Sequence, residues 1–513
     1  HLQAKELREK ALGIAHPDYL QSCLNLANDY RSKGDNKMAL NLYTEAFSSQ
    51  QALLTKIFRF TTEPEKQAYL KKVNDYRSYF LSFSISEPVP DQQAGVYAYE
   101  VSLANKNLII NAAEQLRQII GSTNDTLLIN LYNNWIDIKE QLAFWYAKPV
   151  GERKTELLQL EEKANLFEKE LVRLSSSFRN ERQDKSWRDI QQALQPGEAA
   201  VEFSNFRFHN GREFTDSFFY VAVVIRKDNP APQLITLFEQ KQLGTLASKF
   251  SFGERLINLL YAAPGKQGNT NTGNSLYSLV WKPLEKSLAG INTVYFSPAG
   301  ELYKVSFASL PVNSTQVLSD QYNLVQLNTT TSVITATNAV IANSDTLILY
   351  GGVQYDADSL SIRRAVLQYG GSDFAKRSLP ENLLRSSIGD FNYLSETEKE
   401  VNEIKRLAEQ KKYTVTVASG INATEESVKH LSGRGSPSVV HIATHGFFFP
   451  DPSLTKKELS SSSRSVFRQS DNPLIRSGLA LAGANNAWRG KPVAGVEDGI
   501  LTAYEVANMY LPN

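Results

Sequence analysis

The residues best suited to chemistry lie in the stretch VVHIATHGFFFP, residues 439–450, which holds two of the six histidines of the chain. The stretch reads as a β-strand, and His441 and His445, four residues apart, would then point to the same face of a sheet. A histidine at the end of a strand, followed by a glycine whose N–H can approach a ligand, suits a general base beside an oxyanion donor. We therefore predict that His445 and the N–H of Gly446 carry a reaction, and we expect His441 to be buried and hydrogen-bonded to backbone.

A zinc site is not expected in this stretch. Histidines at i and i+4 bind zinc when they lie on a helix with a glutamate between them, and a strand without a glutamate offers neither condition. The single cysteine, Cys23, occupies a helix position that faces the interior of a helical pair, where burial raises the pKa of a thiol and keeps it inert. Asp498 is open to two interpretations, a turn residue or an acid of a substrate pocket. We predict neither a metal nor an organic cofactor.

The elements that must position His445 belong to an α/β region. Alternating apolar residues begin in the segment LQPGEAAVEF, near residue 196, and further strand-like runs alternate with helical stretches from there on. This alternation predicts a mostly parallel sheet covered by helices on both faces. Reactive groups collect at the carboxyl ends of such strands, and His445 is predicted to lie at one of them.

The first part of the sequence is predicted to be helical. Residues 23–47 carry small and aromatic residues at the offsets of a tetratricopeptide repeat, namely Leu26, Ala27, Tyr30, Gly34, Ala39, Tyr43 and Ala46. The match fades downstream, where residues 52–180 keep a helical period and predict degenerate repeats or a helical connector. Two prolines in the segment SEPVPDQQAG, residues 86–95, mark the expected internal boundary. One repeat cannot bury its own face, so we expect at least three in the intact protein, with this chain starting inside a repeat.

Composition argues against several classes of protein. Lys and Arg number 55 against 54 Asp and Glu, and the resulting net charge of +1 gives no field that would attract nucleic acid or an anionic membrane. No apolar run approaches the roughly 18 residues that span a bilayer, and the first residues lack the pattern of a signal peptide. A single cysteine cannot form an internal disulfide and fits a reducing cytosol. We predict a cytoplasmic protein of at least two domains, because 513 residues exceed what one hydrophobic core usually holds.

Five segments together resemble one protein family. They are HIATHGFF, PLIRSGLALAGAN (473–485), EDGILTAYEVANM (497–509), SPAGELYKVSFASLP (297–311) and PGEAAVEF (196–203). In combination they resemble the CHAT peptidases, caspase-like cysteine proteases of clan CD that are often preceded by tetratricopeptide repeats. The resemblance implies a Cys–His dyad, in which His445 activates a cysteine thiolate and the N–H of Gly446 helps to hold the oxyanion.

The resemblance also implies a division of the chain into four regions. Tetratricopeptide-type repeats would occupy residues 1–90, and a helical connector residues 91–195. A degenerate caspase-like α/β half would follow at 196–345. The caspase-like peptidase half that carries the dyad would occupy 346–513.

The sequence departs from the family at the nucleophile. In the family the cysteine follows the helix of the DGILTAYEV segment, at the end of the next strand, and no cysteine stands in such a position here. Thr502 and Glu505 form a T-x-x-E capping box, which predicts a helix that opens near residue 503. Three alternatives stay open: truncation before the cysteine, delivery of the cysteine by a second chain after processing, or a non-catalytic relative. The 513 residues alone are expected to be inactive as a peptidase.

The predicted function is that of a cytoplasmic, bacterial cysteine endopeptidase that cuts a protein substrate. A protein partner or activator would bind the helical repeats, and neither nucleic acid nor a membrane is an expected partner. The alternative is a scaffold, a repeat protein whose α/β domain binds without cutting. The serine-rich segment 454–471, with Arg464 and Arg468, would be either a solvated surface loop or a lid beside the cleft.

Overall fold

The structure, a computed structural model, describes most of the chain and divides into two compact units. The described residues are 1–58, 61–73, 75–87, 91–104, 106, 116–117, 119–120, 123–146, 155–175, 186–243, 276–313, 315–336, 346–369, 390–433, 435–449, 472, 474–509 and 511. One unit comprises His1–Gln115 and Phe178–Ala339, and the other comprises Leu116–Ser177 and Val340–Asn513. Each unit therefore combines a helical part with a part that contains a sheet. The predicted loop 454–471, with Arg464 and Arg468, lies outside the described residues.

Helices form the first part of the first unit, as predicted. They are α1 (Leu2–Leu12), α2 (Pro17–Ser32), α3 (Asn36–Phe58), α4 (Glu63–Val73), α5 (Asp75–Ser86) and α6 (Asp91–Ala104). Ala27 of α2 and Ala39 and Tyr43 of α3 are buried together, as their proposed place between two packed helices requires. Cys23 is also fully buried on α2, and burial is the main cause that raises the pKa of its thiol to about 11. The burial of Cys23 is thus confirmed, whereas the assignment of the helices to tetratricopeptide repeats stays a prediction.

A five-stranded sheet completes the first unit. Its strands are β1 (Glu198–His209), β2 (Phe214–Arg226), β3 (Gln233–Glu239), β4 (Thr293–Ser297) and β5 (Asn323–Gln326), flanked by α9 (Trp187–Ala193) and α10 (Ser332–Ala336). The strand order is β3-β2-β1-β4-β5. Only β1/β4 and β4/β5 pair in parallel, whereas β1/β2 and β2/β3 are antiparallel. The predicted mostly parallel sheet is therefore wrong for this part, because the four residues between β1 and β2 allow a hairpin but no crossover.

The second unit joins two long helices to two small sheets. The helices α7 (Thr126–Tyr146) and α8 (Thr155–Ser175) precede the strands β6 (Thr346–Val353), β7 (Thr414–Gly420), β8 (Val439–Ile442), β9 (Gly446–Phe448), β10 (Ser477–Ala480) and β11 (Ile500–Thr502). One sheet is parallel with the order β7-β6-β8, and the other is antiparallel with the order β11-β10-β9. The remaining helices are α11 (Ser359–Val366), α12 (Ser395–Gln410), α13 (Glu425–Lys429), α14 (Ala484–Trp488) and α15 (Ala503–Asn508). Among the helices described in either unit, none is both long and apolar enough to cross a membrane.

The central strand β6 depends on a close approach by α12. Val401 and Ala408 of α12 are buried against Leu347 and Leu349 of β6. Gly351 lies where this helix comes nearest, since a Cβ atom at that position would be 2.3 Å from the side chain of Val401. A glycine therefore allows the helix to cover the parallel sheet that leads to His445.

Candidate active site

His445 lies in a short link between the two sheets of the second unit. The parallel strand β8 ends at Ile442, and the antiparallel strand β9 begins at Gly446, so that three residues separate them. The expectation of one continuous strand is wrong, because the chain leaves the parallel sheet after residue 442. The period of two therefore does not extend from His441 to His445, and the two histidines belong to different local surroundings.

A directed chain of hydrogen bonds fixes the backbone of His445. Its N–H donates to the hydroxyl of Tyr355 at 3.3 Å, and its carbonyl accepts from the N–H of Ala480 at 2.9 Å. The hydroxyl of Thr444 donates to the carbonyl of Ala480, which can only accept. Thr444 must then accept from Tyr355, whose hydroxyl lies 2.8 Å away. Each donor in this series of hydrogen bonds therefore has one acceptor, and the link between the sheets is bonded both to the loop after β6 and to β10.

The imidazole of His445 is oriented by one backbone carbonyl. Nε2 lies 2.7 Å from the carbonyl oxygen of Asn392. Because a carbonyl can only accept, Nε2 must carry the hydrogen, and in the neutral ring Nδ1 is then the free lone pair. The rings of Tyr355 and Phe391 contact the imidazole, with centroids 5.1 and 5.5 Å away. These contacts set the ring plane, and Nδ1 is the atom that can accept a proton.

The N–H of Gly446 points away from its neighbouring strand β10. The register pairs Gly446 with Leu479, and the next pair along, His445 with Ala480, exchanges the hydrogen bond described above. Hydrogen-bonded and non-hydrogen-bonded pairs alternate in an antiparallel ladder, so that Gly446 occupies a non-hydrogen-bonded position. Gly446 is exposed, and β9 is at the edge of its sheet among the strands described. Its N–H is therefore directed outward, next to the imidazole-bearing residue.

His441 is not the buried, backbone-bonded histidine that the sequence predicts. Its side chain is 31% exposed, and Nε2 lies 3.1 Å from a carboxylate oxygen of Glu400 on α12. The difference arises because α12 packs over the parallel sheet and brings the carboxylate of Glu400, and not a backbone group, to His441. The contact joins the edge strand β8 to a carboxylate on α12.

A cluster of charged side chains lies next to Asp498, where α13, the loop before β11 and α15 meet. The ammonium of Lys429 lies 2.7 Å from Glu425, 3.1 Å from Glu497 and 2.9 Å from Glu505, and these four residues form the Lys429 cluster. Burial lowers the pKa of Lys429, but the three carboxylates outweigh it and raise that pKa well above its ordinary value. Burial raises the pKa of Glu425, which is 1% exposed. The cluster ties α13 to the loop before β11 and to α15.

Asp498 forms a turn. Its Oδ1 accepts the N–H of Ile500 at 2.8 Å, so the turn interpretation is confirmed, while a place in a substrate pocket stays a prediction. Burial, followed by the charge of Glu505, raises the pKa of Asp498 to about 7. The predicted capping box is also confirmed. Glu505 donates its N–H to the hydroxyl of Thr502 and accepts the N–H of Thr502, which opens α15 at Ala503.

The carboxylates of the Lys429 cluster lie close enough together to be compared with a metal site. One oxygen from each of Glu425, Glu497 and Glu505 lies within 4.8 Å of the others, which is close enough for a shared cation. The ammonium of Lys429, however, already contacts all three carboxylates. A divalent cation would have to displace it against like-charge repulsion. The arrangement therefore fits an internal counter-ion better than a metal site.

The comparison with protein families agrees with this geometry. Residues 270–513 match the family model of the CHAT domain. This part of the chain is similar to the CHAT domain. No curated protein matches the chain. Together with a helical region at 1–193 and a mixed sheet covered by helices, the match gives a caspase-like, peptidase-type fold.

The sequence did not reveal the neighbours that orient His445. Asn392 acts through its backbone carbonyl, and because every residue has one, the sequence cannot show which carbonyl is used. Tyr355 follows β6 by two residues, and only tertiary packing brings it to His445. Asn485, whose side chain hydrogen-bonds the backbone of Phe391 beside the imidazole, ends the PLIRSGLALAGAN segment, which the resemblance marked without assigning it a role. A polar residue at the end of an apolar run was the available signal.

Proposed function

We propose that the chain is part of a cysteine endopeptidase in which His445 is the general base. The observation that carries the proposal is the contact between His445 Nε2 and the Asn392 carbonyl oxygen at 2.7 Å. This contact supports a ring whose Nδ1 is unprotonated and ready to take a proton from a thiol. The match of residues 270–513 to the CHAT domain supports the same reaction class.

The proposed reaction is acyl transfer through a thiolate. Nδ1 of His445 takes the thiol proton, and the sulfur bonds to the carbonyl carbon of the scissile peptide while the carbonyl electrons move to oxygen. The outward N–H of Gly446 donates to that oxyanion. On collapse the C–N bond breaks, and His445 returns the proton to the leaving amine. Water, deprotonated by the same ring, then cleaves the thioester and releases the thiolate.

The thiol of this reaction is proposed to come from outside the 513 residues. Cys23 is fully buried on α2, and the raised pKa of about 11 keeps it protonated. The two sources that we propose are a continuation of the reading frame and a second chain. The substrate is proposed to be a protein, the helical region is proposed to receive a protein partner or activator, and the setting is proposed to be the bacterial cytoplasm.

The direct test uses the complete reading frame and a peptide-based thiol-reactive probe. We expect rapid labelling and cleavage that fall by about 10²- to 10⁴-fold in His445→Ala, because the general base is removed. The matched control is His441→Ala, which removes the other histidine of the same segment and leaves His445 in place. Equal labelling and cleavage in wild type and His445→Ala would remove His445 from the mechanism, whereas an absence of cleavage in both would favour the scaffold alternative.

The oxyanion role of Gly446 has its own test. Gly446→Pro deletes the N–H while leaving the hydrogen bonds to β10, because residue 446 occupies a non-hydrogen-bonded position. We expect kcat to fall by about 10²- to 10³-fold. The control, Gly446→Ala, keeps the N–H, and its Cβ would lie 3.6 Å from the nearest atom, an ordinary contact. A Gly446→Pro protein that is folded and as active as Gly446→Ala would contradict the role.

A further inference from the structure

Three consecutive residues next to His445, the 390–392 segment, are held by side chains from α14 and the residue after it. Asn392 supplies the carbonyl that accepts from His445 Nε2. The segment has no regular secondary structure, so its backbone is not fixed by a ladder of its own. Side-chain contacts must therefore set where that carbonyl points.

Asn485 of α14 holds the middle residue of the segment. Its Oδ1 accepts the N–H of Phe391 at 2.9 Å, and its Nδ2 donates to the carbonyl of Phe391 at 3.0 Å. Nδ2 also donates to a carboxylate oxygen of Asp356 at 3.0 Å. Asn485 is fully buried, so that both backbone groups of Phe391 are satisfied away from water. One amide thus fixes the peptide unit that precedes the Asn392 carbonyl.

Arg489 holds the first residue of the segment. Its Nε and Nη2 donate to the two carboxylate oxygens of Asp390 at 3.0 and 2.7 Å, a bidentate pair. Nη1 lies 2.6 Å from Asp356, which joins the arginine to the same carboxylate that Asn485 contacts. The ring of Phe391 packs on Trp488 of α14 with a centroid distance of 4.8 Å and on the His445 imidazole. The segment is held on one side by α14 and touches the imidazole on the other.

We propose that Asn485 and Arg489 are positioning residues for His445, acting through the 390–392 segment and its Asn392 carbonyl. The proposal rests on the proposed function for its catalytic consequence, but its structural claim concerns the hydrogen bond of Nε2 alone. When the contacts of Asn485 with Phe391 or of Arg489 with Asp390 are lost, we expect the Asn392 carbonyl to move away from Nε2. The Nε2–H group is then exposed to water, and the imidazole can rotate. The lone pair of Nδ1 then no longer points in one fixed direction.

The first experiment measures the imidazole without requiring activity. The chain is labelled with ¹⁵N-histidine, the six histidines are assigned with single His→Gln variants, and the exchange of the His445 Nε2–H proton with water is measured by NMR. We expect exchange at least about tenfold faster in Arg489→Ala and in Asn485→Ala, because a broken hydrogen bond opens the site to solvent. Arg489→Lys keeps the positive charge but cannot make the bidentate pair with Asp390, and we expect an intermediate exchange rate of the Nε2–H proton.

Two matched controls separate positioning from general destabilisation. Arg406→Ala removes an arginine that makes the same bidentate pair, with Glu403 on α12, and Asn486→Ala removes the adjacent asparagine, which donates to Ala357. Both controls should leave the exchange rate of His445 at the wild-type value. Because Asn485 is buried, its variant can fail to fold. In that case Arg489→Ala, at an exposed position, decides the question alone.

The outcomes distinguish this proposal from the proposed function. In the complete peptidase we expect kcat to fall about tenfold in Arg489→Ala and about 100-fold in Asn485→Ala, with KM little changed. Faster exchange without any peptidase activity in the wild type would support the positioning and contradict the proposed function. Wild-type exchange in a folded Arg489→Ala protein would overturn the positioning, whatever the peptidase does.

Discussion

The hydroxyl of Tyr355 lies 2.8 Å from the hydroxyl of Thr444 and joins the loop after β6 to the link that carries His445. Tyr355 also accepts the N–H of His445, and Thr444 donates to Ala480 on β10. One buried tyrosine therefore bridges the parallel and the antiparallel sheet at the residue that separates them. The position of His445 depends on this hydroxyl as well as on the Asn392 carbonyl.

Tyr355→Phe should lower the free energy of unfolding by about 1–2 kcal/mol, because it leaves buried hydrogen-bonding groups without their partner. The measurement is urea denaturation followed by circular dichroism. Tyr393→Phe is the control, since that hydroxyl contacts Glu398 at an exposed position, and its effect should stay within about 0.5 kcal/mol. Equal losses in the two variants would speak against the bridge.

Lys429→Met should lower the free energy of unfolding by about 3–5 kcal/mol, because it leaves the partly buried carboxylates of the Lys429 cluster without a counter-ion. The loss should be smaller at pH 5 than at pH 8, since protonation removes the uncompensated charges. Lys399→Met, which breaks an exposed pair with Glu396 on α12, should cost less than about 1 kcal/mol. A pH-independent loss in Lys429→Met would indicate lost packing instead.

Asp498→Asn should change how stability depends on pH. The pKa of Asp498 is about 7 in the folded protein against an ordinary 3.8, so the folded state binds the proton more tightly. Wild-type stability therefore falls as pH rises from about 4 to about 7 through this group, and the asparagine variant lacks that fall. In denaturation experiments between pH 4 and pH 8, the free energy of unfolding of Asp498→Asn should increase relative to that of wild type as pH rises. The asparagine can still accept the N–H of Ile500.

A carboxyl group whose pKa is lowered in the folded protein provides a control for the pH test. The pKa of Asp358 is lowered by hydrogen bonds to Ser361 at the start of α11, so its contribution to stability is lost only as the pH falls through and below its ordinary range. Asp358→Asn should therefore differ from wild type by a constant amount above about pH 5. A constant difference in Asp498→Asn as well would show that Asp498 titrates like an ordinary carboxyl.

Gly351→Ala should destabilise the second unit by about 1–3 kcal/mol or more, because the new methyl would overlap Val401 and the backbone of Thr397 on α12. Gly435→Ala is the control, since the space around that Cβ is open and its backbone is not left-handed. The measurement is thermal unfolding of the two variants in parallel. A similar melting temperature in both would mean that α12 can move away from β6 without cost.

The sequence predicted the elements better than it predicted their neighbours. The helical period of the first part of the chain and the capping box of Thr502 and Glu505 are local, and both are confirmed in the described residues. The break between β8 and β9 was missed, because VVHIATHGFFF has apolar residues on both sides of it and its side-chain pattern does not show where a strand changes sheets. Local pattern cannot place a partner that lies about 50 to 90 residues away, as Asn392 and Tyr355 do from His445.

The three-residue link between β8 and β9 has a mechanical consequence. His445 is anchored to β10 by its carbonyl and to the loop after β6 by its N–H, so it is attached to both sheets at once. A force that tilts one sheet against the other would therefore act directly on the backbone of His445. A partner that binds either sheet would then influence the proposed general base without contacting it.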